Sequence, residues 1–359
     1  MPSDQNQPPD HRFRLGLDGA ATVFDYPPGV RRVAANLLPA LSAGGHVPLV
    51  PAADEPERHW RHHELPRLER ELGLDGILSF TSAFPIRGKG LRIQTLHELP
   101  WSHGVQENAG FGHRLWARHG RRRAALVLVP SVRVLMDLED FAPAAARRAA
   151  VLPWGVGPPF TEDEDPQRPD GELLASLGLD ATRPFVLVPG GTRPKKRVDA
   201  VLQGLAGLGK DAPDLVVTGA ATGQITEDLR VARTLGLEGA LRYVGPVEDA
   251  AMAALYRSCH AVCVLSDSEG FGFGALEGLA AGAPVLVPPA TAQAEVAGDF
   301  ALQVDSDDLA GIGRALTGVL ERHGTEPEAV ERARRRSEAA GRTWEATAEH
   351  LRVLLESLP

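Results

Sequence analysis

The 359-residue sequence predicts an α/β chain of two doubly wound, mostly parallel sheet domains facing each other across a cleft. Three observations carry this. Short apolar runs alternate with segments of helical periodicity along nearly the whole chain, the pattern of βαβ crossovers. The length is about twice that of a typical domain of roughly 100–200 residues. An acidic, proline-bearing stretch over 158–169 interrupts the alternation and separates two such series. Sheets of this kind bind ligands beyond the carboxyl ends of their strands, so the loops there are the places to look for chemistry.

A polar leader, residues 1–11, precedes a first strand over 13–17. Gly29 opens a helix that runs to Leu41 and stops at Gly44 and Gly45, and 47–50 reads as the next strand. Strands follow at 77–80, 93–97, 125–130 and 149–153, with helices over 64–72, 111–119 and 133–140 between them. Glu162, Asp163, Glu164 and Asp165 make 158–169 a solvated linker, which places the first domain at 1–165 and the second at 166–343. The second series has strands at 185–188, 215–218, 241–244, 261–265, 284–288 and 301–304. Its helices lie at 198–208, 227–235, 250–257, 273–281 and 309–320, and 326–358 reads as helical throughout. The halves repeat only in architecture.

Composition excludes several classes. Hydrophobic residues at 43% and charged residues at 24% are ordinary for a globular protein. Lys+Arg 38 against Asp+Glu 47 gives −9, which argues against a dedicated nucleic-acid binder. The balance is uneven: residues 1–150 carry 19 basic and 16 acidic side chains, and 151–359 carry 19 and 31. Cys259 and Cys263 are too few for a disulfide framework and supply half a zinc site at most, so both are assigned to the core. The leader lacks an apolar signal core, and no apolar run approaches the roughly 20 residues that span a bilayer. The expectation is a cytoplasmic-type chain.

Two segments of the second half carry chemistry. In SDSEGFGFGALE, residues 266–277, a strand runs into a glycine-rich loop and a helix starts near Gly272. Gly270, Gly272 and Gly274 permit close backbone approach, and the unpaired N–H groups of a helix N-terminus are a natural phosphate seat. Glu269 and Glu277 are poor phosphate ligands but good acceptors for sugar hydroxyls. A surface loop with two solvated glutamates has the same pattern, and these residues alone do not separate the readings. The second segment, VPGGTRPKKRV over 188–198, sets Gly190, Gly191 and three consecutive cations at the end of a strand. Against a solvated basic turn stands the scarcity of lysine. Only Lys89, Lys195, Lys196 and Lys210 occur among the 38 cations, and two of them are adjacent here. A compact ammonium on a flexible stem suits a phosphate whose charge grows.

These segments resemble signatures of the GT-B-fold glycosyltransferases of the GT4 type. Glu269-Gly270-Phe271-Gly272 with Glu277 is similar to the family's E-x7-E motif, and Gly190-Gly191 with Lys195-Lys196 to its phosphate loop. Pro28-Gly29-Val30 resembles the amino-terminal loop, His97-Glu98 the acceptor-side "HD" pair, and Ser131 the residue after the following strand. Residues 152–157 resemble the linker motif, and Thr343-Trp344 the start of a final helix that crosses back to the first domain. The resemblance implies the GT-B fold and transfer of a sugar from a nucleotide-diphosphate donor, with retention and without metal or other cofactor. It implies Lys195 and Lys196 on the diphosphate, aided by backbone N–H groups of Phe271, Gly272 and Phe273. Glu269 would hold the donor sugar and Glu277 the ribose. His97 would face the reacting centre, and Gly29 would let its loop close over the phosphates. Two positions depart from the pattern: Glu98 stands for Asp and Trp154 for Asn.

Competing readings are weaker. Gly270, Gly272 and Ala275 match a dinucleotide fingerprint, but in the fourth strand-loop of the domain and with no acid ending the next strand. Asp305, Asp307 and Asp308 are better explained by helix capping than by a metal. His59, His62 and His63 lack a nearby ligating carboxylate and read as a solvated helix face. A catalytically inactive nucleotide-sugar binder or partner subunit is the main alternative in function. In the first domain Arg114, Arg118, Arg121, Arg122 and Arg123 surround Leu115 and Trp116, which fits either a solvated face or contact with anionic lipid at the inner face of a membrane. The acceptor, sugar or lipid-linked, and the donor base are not legible.

Overall fold

A computed structural model describes residues 13–105, 110–161, 163–209 and 212–358. The leader, Glu162 and Lys210 lie outside these residues, as do the side chains of Arg121 and Arg122. The described chain builds two six-stranded sheets, parallel throughout. The first contains β1 (Leu15–Asp18), β2 (Val47–Leu49), β3 (Gly76–Ser79), β4 (Leu91–Thr95), β5 (Leu126–Val129) and β6 (Ala149–Val151), in the order β2-β1-β3-β4-β5-β6. The second contains β7 (Phe185–Val188), β8 (Asp214–Thr218), β9 (Leu241–Gly245), β10 (Ala261–Cys263), β11 (Val285–Val287) and β12 (Leu302–Gln303), in the order β12-β11-β10-β7-β8-β9. Helices cover both faces, which is why β7, Phe-Val-Leu-Val, is a continuous apolar run buried along its length.

The strand order positions the site. In the second sheet the chain starts at β7, moves out to β9, returns to β10 and continues the other way. The switch point therefore lies between β7 and β10, which pair with Ala261 opposite Val186 and Val262 opposite Leu187. In open α/β sheets this is the crevice that takes the ligand. The corresponding reversal in the first sheet lies between β1 and β3.

The helices used below are α1 (Pro28–Ala43), α2 (Leu65–Glu71), α3 (Phe111–Arg123), α4 (Val132–Phe141), α5 (Val198–Ala206), α6 (Gln224–Thr234), α7 (Asp249–Ser258) and α8 (Phe273–Ala280). After them come α9 (Ala292–Ala297), α10 (Leu309–Arg322), α11 (Glu326–Ala340) and α12 (Trp344–Glu356). The helix expected over 64–72 starts earlier, as a π turn over Trp60–Glu64 leading into α2. The tail expected to be helical throughout is two helices. Gly341 ends α11, Arg342 gives its carbonyl to Val156 N at 2.8 Å, and Thr343 caps α12 by accepting from Ala346 N at 3.1 Å. The break turns α12 back onto the first half, where Arg352 donates to Ala40 O at 3.0 Å and Thr347 to Pro153 O at 3.0 Å.

One buried cluster runs through both halves, from Leu15 and Leu37 through Trp154 and Phe160 to Val262 and Trp344. Cys259 and Cys263 lie in the buried interior, and burial pushes the Cys259 thiol up to about 12. Asp308 caps α10, accepting from Gly311 N at 2.8 Å. His59, His62 and His63 line a cavity of about 630 Å³ with Arg58 and Arg87. Among the described residues no three His, Cys, Asp or Glu side chains are arranged to hold a metal, and no helix is long and apolar enough to cross a membrane.

Candidate active site

The loops after β7 and β10 flank the switch point, so the two segments singled out by sequence meet there. After β7 the chain turns through Gly190 and Gly191, with φ of 100° and 94°. The positive φ favours glycine at 190, and the lysine packs against it: a Cβ there would lie 2.8 Å from Lys196 Nζ. A single 3-10 turn, Pro194–Lys196, then aims both lysines inward. The two loops are tied together by Asp267 N, which donates to Lys195 O at 3.1 Å, and by Arg197, which pairs with Asp267 at 3.1 Å and Asp307 at 2.8 Å.

Each lysine has a carboxylate partner. Lys196 Nζ donates to Glu269 Oε1 at 2.6 Å, and Lys195 Nζ lies 3.3 Å from Glu98 Oε2 of the first half. Both lysines are nearly buried, at 4% and 9% exposure. Burial by itself raises the Glu269 carboxyl, but Lys196 and Lys195 outweigh it and hold the group down at about 2. Burial pushes Lys196 below the usual range for an ammonium, against the pull of Glu269.

Glu277, one turn inside α8, is 4% exposed. Its Oε2 accepts from Tyr256 Oη at 3.0 Å and its Oε1 from Arg32 of α1. Burial pushes it up to about 7, the nearby guanidinium of Arg32 acting in the opposite direction. Arg32 also bonds Asp249 Oδ1 at 2.8 Å. Sequence reasoning missed Arg32, although a signal existed. A cation in the early turns of a helix opposes the positive end of its dipole, and α1 has no acid in its first turn to compensate.

The first half presents His97, half-buried just beyond β4. Its Nε2 lies 2.8 Å from Phe80 O, and a carbonyl only accepts, so Nε2 carries the proton and Nδ1 keeps the lone pair. Burial lowers its pKa, favouring the neutral ring. Trp154, in place of the expected Asn, packs beside it with ring centres 5.7 Å apart.

The halves touch directly here. Ser131 Oγ donates to Gly270 O at 2.8 Å, and Glu295 of α9 accepts from Val132 N and Arg133 N at 2.8 and 3.1 Å, capping α4. A Cβ on Gly270 would lie 1.6 Å from His97 O. Gly270 was read as leaving room for a ligand; in this structure it leaves room for the backbone of the opposite half. Gly272, with φ of 98°, starts α8 against Gln293. Phe271 is buried and meets Phe273 edge-on at 5.2 Å, and a Cβ on Gly29 would reach Phe273 at 3.4 Å. Gly29 thus lies against Phe273 of α8, Glu98 against Lys195 and the His97 backbone against Gly270, while Arg32 reaches Glu277.

Known proteins share the architecture, and a family model matches within the second half. HepE of Anabaena, solved in complex with UDP-glucose, superposes with a TM-score of 0.75 over 96% of this chain and 100% of its own, at 15% identity. Sucrose-phosphate synthase of Thermosynechococcus elongatus superposes at 0.72, covering 97% and 99% at 17% identity. The D-inositol 3-phosphate glycosyltransferase of Kribbella flavida is 33% identical over 188 residues, 48% of this chain and 37% of that protein. That of Salinispora arenicola is 29% identical over 225 residues, 59% and 50%. The matched residues therefore span half or less of these relatives' own length. The profile of the family described as Glycosyl transferases group 1 matches residues 170–340. The stretch that holds the site loops after β7 and β10 thus matches the glycosyl transferases group 1, and the chain around it has the two-sheet GT-B fold.

Proposed function

We propose that this protein is a retaining glycosyltransferase that moves a sugar from a nucleotide-diphosphate donor to a hydroxyl acceptor and needs no metal. One observation carries the reading. Two buried lysines, the N-terminus of α8 and two carboxylates converge at the switch point of the second sheet, opposite His97. The names of the similar proteins support it, as glycosyltransferases and as a structure holding UDP-glucose.

In this reading residues 166–343 bind the donor, and 1–165 with α12 form the acceptor side. The bond from the sugar's anomeric carbon to the diphosphate breaks, the acceptor oxygen takes its place, and the acceptor's proton leaves with the diphosphate. The transition state resembles an oxocarbenium ion, and negative charge collects on the leaving group. Lys195, Lys196 and the backbone N–H groups at Phe271, Gly272 and Phe273 stabilise that charge from fixed positions. Gly190 and Gly191 admit the phosphates, Glu269 accepts from hydroxyls of the donor sugar, and Glu277 from the ribose. The ion pairs to Glu98 and Glu269 hold the lysines in place before the donor arrives. On the acceptor side Phe111 is 82% exposed beside Leu115, Arg114 and Arg118 of α3, a face suited to an anionic membrane surface or a lipid-linked acceptor.

Thermal unfolding against UDP-, GDP- and ADP-sugars, with the free diphosphates, tests the reading. A ligand at 100 times its Kd adds about 2.7 kcal/mol of stability. A stabilising donor that is also turned over supports transfer. Stabilisation without transfer or hydrolysis across acceptors makes the chain a binding subunit, and no shift with any nucleotide removes the donor site.

A further inference from the structure

Two carboxylates of the second half converge on one side chain of the first. Arg32 sends Nη1 to Glu277 and Nη2 to Asp249, the latter at 2.8 Å. Its guanidinium lies 4.8 Å from the centre of the Phe160 ring and 5.7 Å from that of Phe273, so aromatic faces hold it as well. Asp249 is largely exposed, whereas Glu277 is buried, and the buried carboxylate is the one in the proposed donor site.

We propose that Arg32 is a positioning residue for the nucleotide: it reaches across the cleft and fixes the Glu277 carboxyl where it accepts from ribose hydroxyls, so that the ribose seat is complete only when the two halves are together. This rests on the donor-site reading above. A ribose diol donates two hydrogen bonds, and a carboxylate accepts both, whereas a protonated carboxyl has turned one oxygen into a donor. Both oxygens of Glu277 already have a partner, Arg32 on one and Tyr256 on the other, and each retains a further lone pair.

The surroundings make that ionisation depend on Arg32. Burial raises the Glu277 carboxyl most, Arg32 is the largest influence lowering it, the Tyr256 hydroxyl also lowers it, and Asp249 raises it. Arg32 comes from α1, and Tyr256 and Asp249 from α7. Gln293 of α9 packs at the start of α8, and Arg332 and Arg336 of α11 pack just beyond its end, at Gly282. Without Arg32 the carboxyl stays protonated further up the pH scale.

Calorimetric titration of the full chain with UDP, GDP, ADP and pyrophosphate, from about pH 6 to about pH 9, tests this on wild type, Arg32→Met and Arg32→Lys. Arg32→Met is expected to weaken nucleoside diphosphate binding about fivefold at neutrality, approaching tenfold toward pH 6, for a shift of about one pKa unit. The rise of affinity with pH moves upward by about one unit, Lys restores most of the loss, and pyrophosphate, which has no ribose, binds as before. Should Arg32→Met fail to fold, Glu277→Gln carries the test, with nucleotide affinity low and flat across the range. An unchanged pH midpoint overturns the inference, and tighter nucleotide binding would make Arg32 a shield over Glu277 instead. A wild type that binds pyrophosphate but no nucleoside diphosphate, or neither, overturns the donor site itself.

Discussion

Lys196 and Glu269 show how the site is held ready. An ammonium and a carboxylate 2.6 Å apart, both largely withdrawn from water, are stable only as a pair. Removing the lysine leaves a buried charge unmatched. Lys196→Met is therefore expected to destabilise the fold by about 3–5 kcal/mol and Lys196→Met with Glu269→Gln by distinctly less, a difference that a denaturant double-mutant cycle measures. The pair also sets a pH dependence. Glu269 is held at about 2, below its ordinary 4.5, so its contribution is present above pH 4.5 and is lost as pH falls toward 2. Lys196→Met should flatten that acid limb. If the lysine stabilises the leaving diphosphate as proposed, turnover falls by roughly two orders of magnitude or more in the single variant, as for other losses of a fixed charge-stabilising group. At this scale many of the residues that meet in the candidate site were legible, because glycines, adjacent lysines and spaced glutamates stand out locally. Arg32 was not, because its partners Asp249 and Glu277 lie more than two hundred residues away in the chain.

Among the elements, the strands were the most legible. Parallel strands buried on both faces are runs of Val, Leu and Ile, and that composition needs no tertiary context to recognise. The helices were legible where caps and glycines mark their ends, as at Asp308. The family resemblance at Thr343-Trp344 marked where the final helix starts, whereas periodicity alone runs 326–358 together across Gly341, because one glycine within such a pattern is a weak stop signal. What breaks it is a pair of long-range demands: the carbonyl of Arg342 bonds Val156 N, and Thr343 must leave helical geometry to cap α12. Thr343→Ala is expected to lose about 1 kcal/mol of stability by removing that cap. Hydrogen exchange should show the loss first in α12, where it packs on α1; protection lost uniformly would contradict a local role for the cap.

For the molecule as a whole, the halves meet through backbone as much as through side chains. Gly270 sits where any Cβ would collide with His97 O, so Gly270→Ala must push the loop after β10 away from the first half. The expected result is a more open particle by small-angle scattering, a lower melting temperature, and weaker pairing of Lys195 with Glu98. An unchanged scattering profile with full activity would mean the halves accommodate the methyl group without moving. The sequence alone determined the alternation of strands and helices, the two-half division and the loops where cations, glycines and carboxylates gather, because those follow from periodicity and local residue chemistry. The tertiary structure decided which of these loops face one another. It put β7 beside β10 through a crossover, and brought Arg32 to Glu277 and Glu98 to Lys195. Such meetings depend on strand order and on the packing of one half against the other, and no local stretch of sequence encodes either.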